Sequence, residues 1–225
     1  MANQLDLEEQ EQLDQIKHFW KQYGNAITWL LIVVMSAFAS WNFYHYWQRS
    51  QAQQAAALFD EVDRAVMAAD TARMDRVFSD MKDKFAATAY AQQAGLLVAR
   101  QYNNLGKTDA AKAALAWVAE QSSDAGYQAL ARLRLAAISM ESKNFEEALK
   151  LLAMSYPASF EALVADRKGD VFALQNDKAK AVAEYEKAFR LFDQRTEYRR
   201  LVEVKLNALG VDVRPQDQVA TVAGK

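Results

Sequence analysis

The stretch GDVFALQNDKAKAVAEYEKA, residues 169–188, decides the fold of the chain. Its pattern is G-x-x-F-x8-A-x3-Y-x2-A, formed by Gly169, Phe172, Ala181, Tyr185 and Ala188. A polar break divides it into two segments, and in each the apolar residues recur three or four positions apart, as on one face of a helix. Small residues in both segments would let two helices cross closely. The stretch therefore predicts a helical hairpin.

The same spacing of residues, which we call the repeat frame, recurs upstream. The equivalent residues one unit earlier are Ala136, Ala148 and Leu152, and those of the unit before it are Ala99, Tyr102, Ala111 and Leu115. A fourth, degenerate unit has Met74, Phe78 and Met81 in its second helix. The anchors Met74, Ala111, Ala148 and Ala181 are spaced 37, 37 and 33 positions apart. These spacings lie close to the tetratricopeptide period of about 34 residues.

The composition agrees with an all-α fold, because the chain has only 7 Gly and 2 Pro. We expect an α-solenoid of about four tetratricopeptide-like helical hairpins, closed by a C-terminal capping helix that ends at Gly210. Asn144 and Glu147 have the spacing of a capping box, and Ser159 is a second candidate N-cap. An irregular helical bundle is the alternative, because alanine is common enough to match the frame by chance.

A membrane span is predicted near the N-terminus. Between Lys21 and Arg49 there are 27 residues without a formal charge, more than the roughly 20 that a helix needs to cross the hydrocarbon. Trp and Tyr residues cluster at both ends of the run, as at membrane interfaces. The alternatives are a buried helix of a soluble protein and a signal peptide cleaved after residues 37–39, which read Ala-Phe-Ala.

We predict a cytoplasmic tail over residues 1–24, a transmembrane helix over 25–47, a repeat domain over 48–213 and a flexible tail over 214–225. Lys17 and Lys21 precede the span, and Arg49 and then Arg64 follow it. Cytoplasmic flanks are enriched in Lys and Arg, so this small bias favours an N-terminus inside the cell.

The sequence lacks the residues that metal binding, phosphate binding, nucleophilic catalysis or nucleic-acid binding would need. The chain has no cysteine and two histidines, His18 and His45, neither of which has further ligands at metal-binding spacing. Neither a phosphate-binding glycine loop nor a nucleophile motif is present. The net charge of −2, without a cluster of Lys or Arg, disfavours nucleic acid. We therefore expect a protein that is not an enzyme and carries no metal or cofactor.

The first helix of each tetratricopeptide hairpin lines the concave face of the array. In the frame above, its inward positions predict a protein-binding groove with an apolar middle, formed by Leu96, Arg100, Asn103, Leu130, Leu133, Ala137, Met140, Leu163, Asp166 and Asp170. A polypeptide segment would suit such a groove. Equally, the capping helix or the helix that follows the span would fill it.

Four features together resemble the YfgM-like family of ancillary SecYEG translocon subunits. They are residues 8–24, the single span, the stretch Ala165–Asp170 and the triplet Lys-Leu-Asn at 205–207. The resemblance implies a single-pass protein of the bacterial inner membrane with a periplasmic C-terminal domain. It also implies two partners, the SecYEG translocon and a membrane-anchored PpiD-like periplasmic chaperone, to which secreted proteins would be passed.

The expected function is therefore that of a membrane-anchored protein-binding adaptor of the Sec translocon. Two alternatives remain open on the sequence. One is a structural scaffold of an envelope complex, and the other is a regulator that sequesters another protein.

Overall fold

A computed structural model describes the backbone of residues 7–213 and the side chains of residues 13–213. The predicted tail over 214–225 and the first six residues of the predicted cytoplasmic tail lie outside this range. Within it, nine α-helices and one 3-10 turn occur without any strand, which confirms the all-α prediction. The helices are α1 Leu7–Met67, α2 Thr71–Phe85, α3 Ala89–Asn104, α4 Thr108–Gln121, α5 Ala125–Glu141, α6 Phe145–Leu152, α7 Glu161–Leu174, α8 Lys178–Leu191 and α9 Glu197–Ala208.

Contacts divide the chain into two compact units, Met1–Gln53 and Gln54–Lys225. The described part of the first unit is a single stretch of α1. This helix has an 18-residue window of mean hydropathy 1.7, none of it buried, and is long and apolar enough to cross a membrane. Trp29 and Trp41 near the two ends of this window are largely exposed. Helix α1 continues without a break past the predicted domain start at residue 48.

The second unit consists of four hairpins and a final helix. The end of α1 with α2 forms the first hairpin, followed by α3 with α4, α5 with α6, and α7 with α8. Helix α9 packs against α8 and closes the array. The predicted number of hairpins and the predicted capping helix are both confirmed. Gly210 follows α9 with a φ of +82°, as expected of a helix-ending glycine.

The turn inside every hairpin has the same backbone geometry. Ala69, Gly106, Lys143 and Asn176 all have positive φ and are spaced like the anchor residues, 37, 37 and 33 positions apart. After each of them, the next amide donates to a carbonyl five residues earlier, for example from Asp177 N to Phe172 O at 2.9 Å. This is the hydrogen-bond pattern of a Schellman helix end. The backbone therefore repeats with the register that the side chains predict.

Side-chain caps start most of the helices. Asn144 accepts from the amide of Glu147 at 3.3 Å, so the predicted N-cap is confirmed, although the Asn144 amide bonds to Ser139 O and not to Glu147. Ser159 was expected to cap α7, and this is wrong. It lies inside the 3-10 turn Ala158–Phe160, and that turn continues directly into α7 with no side-chain cap.

Three apolar clusters form the core. One joins the end of α1 with α2, α3, α4 and part of α5, another joins α5, α6 and α7, and the last joins α7, α8 and α9. The anchors Met74, Ala111, Ala148 and Ala181 all have 0% of their surface exposed. Small residues at three of these positions let the hairpin helices approach closely, which is the physical reason for the repeat pattern.

Candidate protein-binding groove

The first helices of the second and third hairpins, α3 and α5, are joined by two side-chain hydrogen bonds. Gln93 Nε2 of α3 donates to the Tyr127 hydroxyl of α5 at 2.8 Å. Further along both helices, Arg134 Nη1 of α5 donates to the Leu96 carbonyl of α3 at 3.2 Å. These bonds fix the separation of the two helices along their first halves.

Beyond the Arg134 bond the space between α3 and α5 opens into a cleft of about 350 Å³. A cleft of this size accommodates a small ligand or one or two residues of a peptide. It is lined by Ala99, Arg100, Asn103, Asn104, Leu115, Arg134, Ala137, Ile138 and Glu141. Aliphatic side chains form its floor, while guanidinium, amide and carboxylate groups surround it. The lining offers charge and hydrogen bonds but no hydroxyl or thiol nucleophile.

Two guanidinium groups dominate the electrostatics of the cleft. Burial lowers the pKa of Arg134, and the positive charge of Arg100 lowers it further. Among the described residues, neither arginine has a carboxylate within the 4.0 Å of an ion pair. Glu141 also lines the cleft and is exposed. The cleft therefore has an excess of positive charge that the described part of the chain does not neutralise by contact.

Three of the ten predicted groove residues, Arg100, Asn103 and Ala137, meet in this cleft. The five other apolar ones lie in or against the core clusters. Leu96 and Leu133 are buried, with 6% and 9% of their surface exposed, and Leu130, Met140 and Leu163 are partly buried against the same clusters. The predicted apolar middle therefore packs largely inside the protein, and the open part of the α3–α5 face is polar.

The last two predicted residues, Asp166 and Asp170 of α7, form a network with α9. Lys205 Nζ donates to Asp166 Oδ1 and to Asp170 Oδ1, both at 2.7 Å. The Tyr198 hydroxyl donates to Asp166 Oδ2 at 2.9 Å, and the Tyr185 hydroxyl donates to Asp170 Oδ1 at 2.8 Å. Asp166 is fully buried. At this end of the array the capping helix therefore occupies the face of α7.

Both tyrosines are held in the neutral form by this network. Burial, the charge of Asp166 and the hydrogen bond to it raise the pKa of Tyr198 to about 12. Burial and then the hydrogen bond to Asp170 raise the pKa of Tyr185 further above its ordinary value. A phenol that must donate to a carboxylate resists ionisation, since a phenolate would face a second negative charge.

The groove frame missed Arg134, Asn104 and Glu141, which all line the cleft. Arg134 lies one position after an inward position of the frame, and its long side chain reaches back across to α3. Its signal in the sequence was its place as one of two arginines in the otherwise apolar segment Leu-Ala-Arg-Leu-Arg-Leu over residues 130–135.

A second and larger cleft, of about 630 Å³, lies on the opposite face of α5. Its lining comes from α4, α5 and α6 and is more apolar, with Ala113, Ala116, Leu151 and Met154 among its residues. This cleft provides an internal comparison for any experiment on the α3–α5 cleft.

Comparisons with known proteins agree with this architecture. A family model described as a tetratricopeptide repeat-like domain matches residues 17–211. A protein of Neisseria gonorrhoeae named ancillary SecYEG translocon subunit is 32% identical to the chain over 204 residues, which cover 90% of this chain and 98% of that protein. The chain belongs to this tetratricopeptide repeat-like family of ancillary translocon subunits.

Two further relatives carry the same name. The protein of Haemophilus influenzae is 27% identical over 203 residues, covering 90% of this chain and 98% of its own length. That of Escherichia coli is 26% identical over 206 residues, covering 90% and 97%. The resemblance to the YfgM-like family is thereby confirmed. Together with the apolar stretch of α1, these translocon-associated relatives indicate an inner-membrane protein.

Proposed function

We propose that the chain is a membrane-anchored adaptor of the Sec translocon. It binds secreted polypeptides in the α3–α5 cleft and passes them to a PpiD-like periplasmic chaperone. The names of the relatives and the candidate span in α1 support the association with SecYEG at the membrane. The single observation that carries the binding role is the open cleft in which Arg100, Asn103 and Ala137 meet.

In the proposed topology residues 1–24 lie in the cytoplasm, 25–47 cross the membrane, 48–213 form the periplasmic domain and 214–225 are a tail. Lys17 and Lys21 support this orientation, because positive charges close to a span favour the cytoplasmic side. The absence of cysteine makes the test direct. In spheroplasts, a membrane-impermeant maleimide should label Lys107→Cys in the exposed turn before α4 but not Lys17→Cys. The reverse labelling pattern would contradict the topology.

The binding role is tested by filling the cleft. Ala137→Trp places an indole between α3 and α5, whereas Ala116→Trp places the same group in the larger cleft on the other face of α5. Both alanines are half-buried, so the two variants are matched in chemistry and exposure. We expect Ala137→Trp to reduce the amount of secreted polypeptide recovered with the chain from mild detergent, with Ala116→Trp near wild type. Circular dichroism of both variants checks the fold.

Transfer of clients requires a separate experiment. A photo-crosslinking amino acid at Asn103 should capture a secretory protein during translocation, and the crosslink should decay as a crosslink from that protein to the chaperone appears. Capture that persists without transfer would indicate a sequestering regulator. Recovery of SecYEG without any captured client would indicate a structural scaffold.

A further inference from the structure

Resting on the proposed function, one feature of the α3–α5 cleft indicates what part of a polypeptide it recognises. The cleft brings two guanidinium groups together over an aliphatic floor, and α3 and α5 supply no ion-paired carboxylate for either of them. Arg134 is half-buried and donates one N–H to the Leu96 carbonyl. Arginine presents five donors, so most of this group's capacity remains for another acceptor.

The other end of the array shows how this chain satisfies charge on the same kind of face. On α7 the carboxylates of Asp166 and Asp170 receive Lys205 from the neighbouring α9 at 2.7 Å. On α3 and α5 the charges have the opposite sign, and no neighbouring helix of the described chain supplies their counterpart. An external carboxylate would neutralise the arginines of α3 and α5, as Lys205 neutralises the carboxylates of α7.

We propose that the cleft binds a polypeptide carboxylate through Arg100 and Arg134, with an adjacent small aliphatic side chain seated on Ala99, Leu115 and Ile138. A carboxylate matches the planar fork of arginine, and two charged donors in a partly buried site make the contact stronger than a neutral hydrogen bond. Asn103 and Asn104 provide amide groups for the adjoining peptide backbone. The volume of about 350 Å³ holds one or two residues.

Glu141 places a negative charge beside the proposed carboxylate site. Its carboxylate lines the same space and is exposed, without an ion pair to either arginine. A bound carboxylate therefore approaches a like charge, which lowers its affinity. Replacing Glu141 with glutamine keeps the shape and removes this repulsion, so Glu141→Gln should bind a carboxylate more tightly than the wild type does. A gain of affinity cannot come from misfolding.

The carboxylate has two sources in a polypeptide, the C-terminus and the acidic side chains, and three peptides separate them. We would use a peptide that ends in Ala-Leu with a free C-terminus, the same peptide with an amidated C-terminus, and an amidated peptide with one internal glutamate beside leucine, each labelled with an uncharged BODIPY dye. Fluorescence anisotropy would be measured on the full chain in detergent micelles. The peptide that binds at least about tenfold more tightly than the neutral one identifies the source.

Three protein variants complete the test. Arg100→Gln should weaken binding of that peptide by about tenfold, and Glu141→Gln should strengthen it several-fold. Arg76→Gln on α2 makes the same charge change at an exposed residue outside the cleft and should leave binding unchanged. Raising NaCl from about 50 mM to about 500 mM should weaken binding to the wild type.

Equal binding of the neutral and carboxylate peptides, or a wild-type affinity in Arg100→Gln, would overturn the carboxylate site. If in that case Ala137→Trp still loses secreted polypeptides, the proposed function stands while the carboxylate site fails. If Ala137→Trp also retains secreted polypeptides, the proposed binding role of the cleft fails with it.

Discussion

Gly169 of α7 lies against the ring of Tyr185 of α8. A Cβ on residue 169 would fall 2.5 Å from ring atoms Cδ1 and Cε1, closer than any carbon contact tolerates. The ring in turn places its hydroxyl on Asp170, so the glycine, the ring and the acidic network are parts of one arrangement. The absent side chain thus lets the last hairpin close and brings α7 and α8 together.

Gly169→Ala should therefore destabilise the domain by about 1–3 kcal/mol, the usual cost of overpacking a tight contact. The measurement is chemical denaturation of the full chain in micelles, followed by circular dichroism. A double-mutant cycle with Tyr185→Ala tests the cause, because removal of the ring removes the clash. The combined cost should then be smaller than the sum of the two single costs. Strict additivity would mean that the contact does not limit the approach of the helices.

The link between α7 and α9 leads to a second prediction. Asp166 is fully buried and accepts hydrogen bonds from Tyr198 and Lys205, so Lys205→Met leaves it with the Tyr198 hydroxyl alone. Loss of one partner of a buried pair costs about 3 kcal/mol or more, and the lower end applies since Lys205 keeps 22% of its side chain exposed. Thermal unfolding should show the loss, and adding Asp166→Asn should recover part of it.

The control for this prediction is a lysine in an exposed ion pair. Lys84 contacts Asp80 at 3.2 Å, and 62% and 46% of their side chains are exposed. Such surface pairs contribute about 0–1 kcal/mol, so Lys84→Met should have little effect. If Lys205→Met costs no more than Lys84→Met, the buried network does not stabilise the attachment of α9.

Most of the fold can be predicted from the sequence because each residue of the repeat pattern has a single physical role. Ala111, Ala148 and Ala181 are small where helices cross, and each is fully buried. The groove was harder to predict, because position in a repeat gives the direction of a side chain but not what covers it. Leu133 points into the core, and Asp166 is covered by α9. Both outcomes depend on contacts with neighbouring helices, which position in a repeat does not reveal.

Single-residue caps show the same limit at a smaller scale. Asn144 lies directly before a regular helix and caps it, whereas the chain before α7 first forms a 3-10 turn in which Ser159 lies one residue before the capping position, Phe160. The sequence contains the polar residue in both cases. Whether it caps depends on the backbone path of the preceding residues, which a proline at 157 redirects.

The last prediction concerns the turn between α5 and α6. Lys143 has a φ of +58°, and its exposed side chain makes no hydrogen bond or ion pair with the described residues that would offset this conformation, while its amide donates to Met140 O at 2.9 Å. The left-handed region costs a residue with a side chain about 1 kcal/mol, and glycine escapes this cost but gives the unfolded chain more freedom. Lys143→Gly should therefore stabilise the domain by about 0.5–1 kcal/mol, with a rise in Tm of about 1–4 °C.

Gly106, at the equivalent turn between α3 and α4, provides the reverse substitution. It has a φ of +71°, and a Cβ there would meet nothing within 4 Å, so Gly106→Ala changes the backbone preference alone. Its Tm should fall by about as much as that of Lys143→Gly rises. Lys150→Gly, at an exposed position inside α6, should also lower the Tm, because glycine within a helix costs about 1 kcal/mol. A fall in Tm for Lys143→Gly as well would show that its turn does not hold the left-handed geometry that the four hairpins share.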